Sequence, residues 1–471
     1  MRYNARMTEH KTSQIVRTRI APSPTGNDIH IGNLYTALIN FAYAQKMQGK
    51  FIVRIEDTDR TRLVEGAIEK IMLSLEKYGL TVDEGPLQQG EFGPYIQSER
   101  LEIYQKYVKE LIAKDKAYYC YCSKERLVEI KEEQGENTHI RHWDVCIDHN
   151  NEIKRGQGEQ YVVRLKVPRD HEISFTDLIR GNITINSDQI DDQILIKSDG
   201  YPTYHMAVVI DDYLMQISHI IRAEEWISST PKHILLYQAF GWEVPVFVHL
   251  PILRNPDKSK LSKRKNPVWA SWYLDEGYLP EAVLNFLALM GWSHPEEKEI
   301  FTLEEFIRVF ELKDVNPVGP VFDIVKLTWM NQQYIQNMND DILLEKILEF
   351  YKAKDLDSDL VKKLVPILKT RMETLKDFEK LTLHFFSEPE NTPRSQIEKE
   401  VASDLASQLD SVSDWEKEAI FATCKVVMQK YSIRMPVLYF LLTGEERGLP
   451  LPESLEILGK ERTIQRLKNI S

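Results

Sequence analysis

Two short stretches carry residues whose types and spacing suit phosphate chemistry. The first is "APSPTGNDIHIGN" at 21–33, in which His30 and Gly32 stand just before the helix-like run "LYTALINFAYAQKM". A helix N-terminus offers free N–H groups and partial positive charge, which suits an anion and phosphate most of all. Gly32 has no side chain to keep a ligand off the backbone. His30 can donate a hydrogen bond to a phosphate as charge develops there. Alone, such a triplet reads first as a turn with a histidine that caps or packs, because three-residue matches are common, and this turn has neither "GxxxxGK[ST]" nor "GxGxxG". The second stretch, "LRNPDKSKLSKRK", lies 230 residues further on, counted from His30 to Lys260. Five cations, Lys258, Lys260, Lys263, Arg264 and Lys265, follow the one acid Asp257. Lysines on a loop reach phosphate oxygens as point charges. By itself the run reads as well as a solvated basic loop or a localisation patch.

A third cluster has metal-ligand character. "YYCYC" sets Cys120 and Cys122 two apart, so both thiols share one face of an extended segment. "DVCIDHN" adds Cys146 and His149, with Asp148 as a spare ligand. Three thiolates and one imidazole would make a tetrahedral structural zinc site. The alternative is a set of partly buried free thiols. Cys424 sits in a helical pattern and reads as a core residue.

The elements that must position these groups can be read from periodicity. "QIVRTRIA" and "GKFIVRIED" read as strands, and between them Leu34, Ala37, Leu38, Phe41 and Ala44 recur at helical spacing. That predicts a parallel βαβ unit with a right-handed crossover. Residues 61–135 read mainly as helices, 136–196 as mixed, and a second strand-helix series runs from "DQILIKS" to "VPVFVHLP". A doubly wound α/β domain interrupted by an insertion fits this order. From residue 279 helix follows helix, and 340–471 reads as a helical bundle or superhelix. The expected divisions are a disordered arm over 1–14, the first half of the α/β domain over 15–95, an insertion over 96–196, the second half over 197–255, the basic loop and its sequel over 256–339, and the helical region over 340–471.

Composition sets outer bounds. The 471 residues carry 60 Lys and Arg against 72 Asp and Glu, a net charge of -12, which argues against coating nucleic acid through bulk charge. A local basic stripe can still bind phosphates. No apolar run approaches the ~20 residues that span a bilayer, and the polar N-terminus lacks the apolar core of a secretory signal. Four cysteines make no disulfide scaffold. A reducing, cytoplasmic setting without membrane contact is expected.

Taken together, "HIGN" resembles the first signature of class I aminoacyl-tRNA synthetases and "KLSKR" the second. "RIAPSPTG", "FIVRIEDTDR", "GPYIQSER", "LIKSDGYPTYHMA", "IRAEEWISSTPKH", "LYQAFGW" and "LLTGEERGLPLPESLEILGKERTIQRL" resemble bacterial-type glutamyl-tRNA synthetase, in that family's order, from about residue 15 to the C-terminus. The resemblance implies a Rossmann-type catalytic domain with an inserted α+β acceptor-binding domain, then an all-α anticodon-binding region. It implies two steps. The α-carboxylate of L-glutamate attacks the α-phosphate of ATP, held with Mg²⁺, and pyrophosphate leaves. The activated glutamate then passes to the terminal adenosine of tRNA(Glu). Neither step needs a covalent enzyme intermediate, so positioning and charge stabilisation carry the catalysis.

The resemblance also implies roles. His30, Gly32, Lys260 and Lys263 match catalytic positions, Lys263 being the lysine on the pyrophosphate. Asn33, Glu225, Ile252 and Leu253 match ATP contacts, the last two through the backbone. Arg19, Ala21, Ser23, Glu56, Tyr204, Arg222 and Trp226 match the glutamate pocket. An arginine fork suits a carboxylate, and Glu56 matches the acid near the substrate ammonium. Arg371 matches a position facing the last anticodon base, although it reads equally as a helix-surface arginine. Some members carry zinc near the cysteine cluster, where it would stabilise the insertion, and others carry none. A monomer is expected. Two departures stand out. "HMAVVIDD" has Val208 where the family often has an Asn, and "TGNDIHIG" has one extra residue before His30, so contacts cannot be carried onto Asn27 and Asp28.

Other readings are an enzyme that also charges tRNA for glutamine, a truncated tRNA-modifying relative, a small nucleotidyltransferase and an inactive RNA-binding relative. The helical region from 340 argues against the truncated form, the length and "IRAEEW" against the nucleotidyltransferase, and intact His30, Lys263, Arg19 and Arg222 against an inactive relative.

Overall fold

Strand β1 (Arg17–Ile20) is buried along its whole length, and helix α1 (Ile31–Lys46) returns the chain to β2 (Lys50–Val53). The two strands are parallel, with Arg17 opposite Lys50 and Ile20 opposite Val53. Leu34, Ala37, Leu38, Phe41 and Ala44 form the buried stripe of α1 that their spacing predicts. The computed structural model describes residues 15–134, 142–146, 149–261, 267–389 and 391–470. The expected arm over 1–14 lies outside the described residues, as do Asp148, Lys263, Arg264 and Lys265.

Helices α2 (Ala67–Lys77) and α3 (Leu101–Ala113) follow, then β3 (Ala117–Cys120), α4 (Lys124–Gln134), α5 (His142–Val145), α6 (Glu152–Gly156) and β4 (Val162–Leu165). Strands β5 (Glu172–Asp177) and β6 (Gly181–Asn186) form a hairpin, and β7 (Ile194–Ile196) pairs with β4. Helix α7 (Tyr204–Leu214), β8 (His219–Ala223), α8 (Thr230–Phe240) and β9 (Val246–Leu250) complete a second parallel βαβ unit. Pro231 opens α8, where its missing N–H has no helical partner to lose.

One sheet has the order β3-β4-β7 and another β6-β5-β9-β8. The second sheet draws in part of the stretch expected as an insertion over 96–196. Its hairpin β5–β6 adds to the sheet of the α/β domain, because Asp177 at the end of β5 pairs in parallel with Phe247 of β9. Strand β1 lies beside β8: the Ser218 N–H donates to Arg17 O at 3.0 Å, and Ser218 Oγ accepts from the Arg17 N–H at 2.8 Å. Tyr104, Leu195, Met206, Ile210, Leu236, Tyr237 and Phe247 are part of the shared core, all fully or nearly fully buried.

The chain divides into two compact units, Met1–Trp272 with Leu284–Asp323, and Tyr273–Val283 with Ile324–Ser471. Among the described residues no strand follows β9, so the second unit is helical, as expected. Its helices Asp340–Phe350, Ser358–Leu368 and Gln396–Asp410 begin at Asn339, Asp357 and Ser395, whose side chains accept from first-turn N–H groups. Leu343, Ile347, Leu364 and Phe378 fill one core, and Leu405, Leu409, Cys424 and Leu441 a second. Cys424 is thus the core residue its pattern predicts. Among the described residues no helix is long and apolar enough to cross a membrane.

Candidate active site

His30 is the N-cap of α1, and its Nδ1 accepts from the Gly32 N–H at 3.0 Å. That bond fixes the neutral tautomer, so Nε2 carries the proton and is a donor. A Cβ on Gly32 would stand 3.3 Å from His30 Nδ1, so the glycine admits this cap. The turn is stitched to the chain that follows the basic loop. The Ile31 N–H donates to Val268 O at 2.7 Å and the Ala270 N–H to Ile29 O at 3.0 Å. Asp28 completes the seam, accepting from Ser74 Oγ and from the Ser271 N–H, each at 2.6 Å. Trp269 covers Gly26 so closely that a Cβ there would come within 2.5 Å of the indole. The lengthened turn therefore has an anchored carboxylate where no family contact could be assigned.

In the basic stretch, Lys260 pairs with Glu225 at 2.5 Å. Both are substantially exposed, so the pair adds little stability and is free to exchange partners. Residues 252–261 fold back on themselves: Leu253 O accepts from the Leu261 N–H at 3.1 Å, and the Ile252 N–H donates to Glu224 at 3.2 Å. Of the matched backbone contacts, the Ile252 N–H is thus already used within the chain.

Next to β1 lies a buried charge cluster. Arg19 grips Asp212 with two bonds, at 3.1 and 3.0 Å, and Arg54 donates to the same carboxylate at 2.7 Å. Asp211 accepts from Arg100 at 2.8 Å, Tyr104 at 2.8 Å and Gln97 at 2.9 Å. Glu56 lies 3.4 Å from Arg54. Burial pushes the Glu56 carboxyl up to about 7, against the pull of Arg54 and Arg19. Ser23 Oγ donates to Glu56 O at 2.7 Å.

Arg222 differs from these arginines. Its Nε–H donates to His249 Nε2 at 3.1 Å, and Nη1 reaches His233 Nδ1 at 3.2 Å and the Tyr204 hydroxyl at 3.4 Å. Nη2 reaches Thr230 Oγ1 at 2.8 Å and Trp226 O at 3.4 Å. None of these acceptors is a carboxylate. Burial pushes His233 well below its ordinary range and His205 down to about 4, so both are neutral at pH 7. The Tyr204 ring lies 4.4 Å from that of Trp226. Arg19, Arg54, Arg100 and Arg222 give four positive charges, and Asp211, Asp212 and ionised Glu56 give three negative ones. Asp177, one imidazole beyond Arg222, makes a fourth negative charge, so what favours an anion is placement: Arg222 has no carboxylate among its own contacts.

The cysteine cluster closes with a different histidine. Cys120, Cys122, Cys146 and His142 bring one ligand atom each to within 4.8 Å of one another. Cys120 Sγ is 3.0 Å from His142 Nε2, and the Cys122 and Cys146 sulfurs are 3.4 Å apart. Thiolates around zinc at about 2.3 Å stand about 3.8 Å apart, so the donor set fits a tetrahedral zinc after a small adjustment. His149 is turned to other work, bonding through Nδ1 to Cys146 O at 2.5 Å and packing on Trp143 at 3.9 Å between centroids. The reason is helical. His142 and Cys146 are four apart, and the Cys146 N–H donates to His142 O at 2.9 Å, which puts both side chains on one face.

Residues 15–329 match the family of tRNA synthetases class I (E and Q), catalytic domain, and residues 342–471 match an anticodon binding domain. The chain belongs to the class I (E and Q) tRNA synthetases. It is 41% identical to the glutamate–tRNA ligase of Clostridioides difficile, over 96% of this chain and 98% of that one. It is 42% identical to the glutamate–tRNA ligase of Chlamydia muridarum, over 97% and 93%. The crystal structure of a glutamate tRNA ligase from Elizabethkingia meningosepticum in complex with its amino acid superposes with a TM-score of 0.86 at 34% identity, covering 97% of this chain and 99% of that one.

For a synthetase of this class, the structure gathers the pocket positions singled out from the sequence. Arg19, Glu56 and Arg222 all lie near enough to act on the charge of the Tyr204 hydroxyl, Ser23 bonds to Glu56 and Trp226 packs on Tyr204, and Ala21 follows Ile20 at the end of β1. Val208 is buried one turn from Tyr204 and one turn from Asp212, so that face of α7 presents an apolar group between two polar ones. Arg371 is exposed in the turn after the helix Ser358–Leu368 rather than on a helix face. Arg54, Arg100, Asp211 and Asp212 were not singled out. The available signal was "IDD" inside the otherwise apolar "MAVVIDDYL". Asp177, His249 and Thr230 carried no local signal.

Proposed function

We infer that this chain activates L-glutamate with ATP and transfers it to the 3′ end of tRNA(Glu). Glutamate–tRNA ligase activity follows from membership of the family and from near full-length similarity to glutamate–tRNA ligases. ATP use belongs to that class. The observation that carries the assignment of residues is Arg222, a buried cation held only by neutral acceptors and beside Tyr204. Glutamate brings two carboxylates and one ammonium, which complements a buried cation with no carboxylate among its own contacts. Arg19 and Arg222 take the carboxylates, and Glu56 takes the ammonium. His30 Nε2–H and the N-terminal amides of α1 face developing charge on the phosphates. Lys260 and Lys263, with Mg²⁺, neutralise the leaving pyrophosphate. The insertion receives the acceptor end of the tRNA and the helical region its anticodon, with Arg371 on the last anticodon base. The expected state is a monomer, and a Cys₃His set suits a reducing cytoplasm.

The test is ATP–pyrophosphate exchange with each amino acid, with and without tRNA. Exchange with glutamate supports the reading. Exchange with glutamine in preference to glutamate overturns it, because a neutral side-chain amide has no use for a second carboxylate-binding arginine.

Glu56 gives the reaction a pH dependence. Its carboxyl ionises only above about 7, so kcat/KM for glutamate should rise as pH increases through 7. Glu56→Gln should lower activity and flatten that profile. For stability the sign is opposite. The folded state holds this proton to higher pH than the unfolded chain, so the burial of Glu56 weakens folding as pH rises from about 4.5 to 7. The Gln variant should therefore melt higher than the parent at pH 8. A lower melting temperature would mean that Glu56 is paired rather than strained.

For the cysteine cluster, metal analysis of protein purified without chelator should find about one zinc per chain, as a closed four-ligand site requires. Bound there, zinc would tie β3 to the turn at His142–Cys146. His142→Ala should lose the metal and His149→Ala should keep it; the reverse result would restore the ligand set first read from the sequence.

A further inference from the structure

Three adjacent parallel strands deliver three polar side chains to one line. Asp177 ends β5, opposite Phe247 of β9, and His249 of β9 stands opposite Arg222 of β8. All three are at most 5% exposed. Asp177 Oδ2 lies 2.7 Å from His249 Nδ1 and accepts from the His249 backbone N–H at 3.0 Å. Its other oxygen accepts from the Ile179 and Arg180 N–H groups, at 3.0 and 2.9 Å. Across the ring, His249 Nε2 faces the Arg222 Nε–H at 3.1 Å. The His249 ring is parallel to that of Phe247, which also lies 5.5 Å from the Arg222 guanidinium carbon.

This arrangement leaves one self-consistent proton assignment. A guanidinium is always protonated and only donates, so His249 Nε2 must offer its lone pair. The proton then sits on Nδ1 and points at Asp177. We propose that Asp177 and His249 are positioning residues for glutamate recognition: the carboxylate sets the tautomer of the imidazole, and the imidazole aims Arg222 without neutralising it. A carboxylate in direct contact would also aim the guanidinium, as Asp212 aims Arg19, but Asp212 is shared with Arg54 and leaves that pair a net positive charge; a carboxylate on Arg222 alone would cancel its charge. One intervening neutral ring separates orientation from charge. This inference rests on the reading of Arg222 as a glutamate-binding residue.

The experiment is steady-state aminoacylation with the full-length enzyme, reading KM for glutamate and for ATP separately. Asp177→Asn keeps an oxygen for the Ile179 and Arg180 N–H groups but puts an NH₂ where the imidazole proton pointed. The ring must then carry its proton on Nε2, against the Arg222 Nε–H. KM for glutamate should rise about tenfold to a hundredfold, the range for losing a hydrogen bond to a charged group, while KM for ATP stays unchanged. His249→Phe keeps the ring against Phe247 and removes the acceptor without disturbing the turn at 177, and should give the same rise. His249→Gln offers an amide oxygen to Arg222 whatever stands at 177. In that background Asp177→Asn should add little, less than threefold. An equal rise in both backgrounds would make Asp177 merely structural and overturn the proposal. Arg222→Met separates the two levels. If it leaves KM for glutamate unchanged, the assignment of Arg222 fails and takes the inference with it. If it raises KM while Asp177→Asn and His249→Phe do not, the positioning inference alone fails.

Discussion

Replacing Arg222 by methionine should lower kcat/KM for glutamate about a thousandfold, roughly 4 kcal/mol of transition-state binding, within the range for truncating one partner of a buried charge pair. Methionine matches the length of the aliphatic stem, so the hole left in the sheet is small. What disappears is the cation whose partners, His249, His233, Tyr204, Thr230 and Trp226 O, are all uncharged. A substrate carboxylate entering the pocket would then meet lone pairs instead of N–H groups. Removing Arg222 takes away a buried charge but leaves its acceptors without a donor, so the free enzyme should lose some stability, by much less than it takes to account for a thousandfold loss of activity at temperatures well below the melt. Activity and stability therefore move separately. The measurement is single-turnover aminoacylation over a glutamate series, alongside a thermal melt. A variant that loses activity only in proportion to lost folding would show that Arg222 holds the sheet rather than the substrate.

The second large effect is on folding. Asp212→Ala should reduce unfolding free energy by about 3–5 kcal/mol, because breaking a buried pair leaves charge without compensation. Asp212 serves two arginines, Arg19 and Arg54, and all three side chains are at most 4% exposed. Burial opposes ionisation of Asp212, but Arg19 and Arg54 outweigh it and hold the carboxyl below its usual range. A group with a lowered folded pKa contributes stability above its unfolded value and loses it as pH falls. The deficit of the variant should thus be full at pH 7 and shrink below about pH 4. A melting temperature lower by roughly 5–10 °C is expected at pH 7, since the shift is about 2–4 °C per kcal/mol for 150–250 residues and smaller for a larger unit. Loss of less than about 1 kcal/mol would mean that water already screens the cluster, contrary to its burial.

Sequence reading succeeded where chemistry was local. His30 and Gly32 stand two apart at a helix start, and the cap they form is a matter of those residues alone. The stripe of α1 and the second core around Cys424 followed from period. The reading fell short where geometry came from distant strands. Arg54 sits in "FIVRIED", where a charge would ordinarily face solvent, and nothing local shows that Asp212, 158 residues on, receives it. Asp177 and His249 are 72 apart and become neighbours only through strand order. The metal cluster shows an intermediate case. Two histidines flank Cys146, and His149 is the nearer in sequence. The four-residue step from His142 was the better guide, because a turn of helix brings that pair to one face.

The place of β1 beside β8 has a consequence for how the protein is made. The backbone of Arg17 has no partner on that side until Ser218, 201 residues later, has been synthesised. At about 5–20 residues per second, the ribosome needs roughly 10 to 40 s to supply it. Through that interval the first βαβ unit presents an open strand edge, together with arginines whose carboxylates do not yet exist. The nascent chain thus depends on protection during translation, and pausing before residue 218 would lengthen its exposure to strand pairing between neighbouring chains.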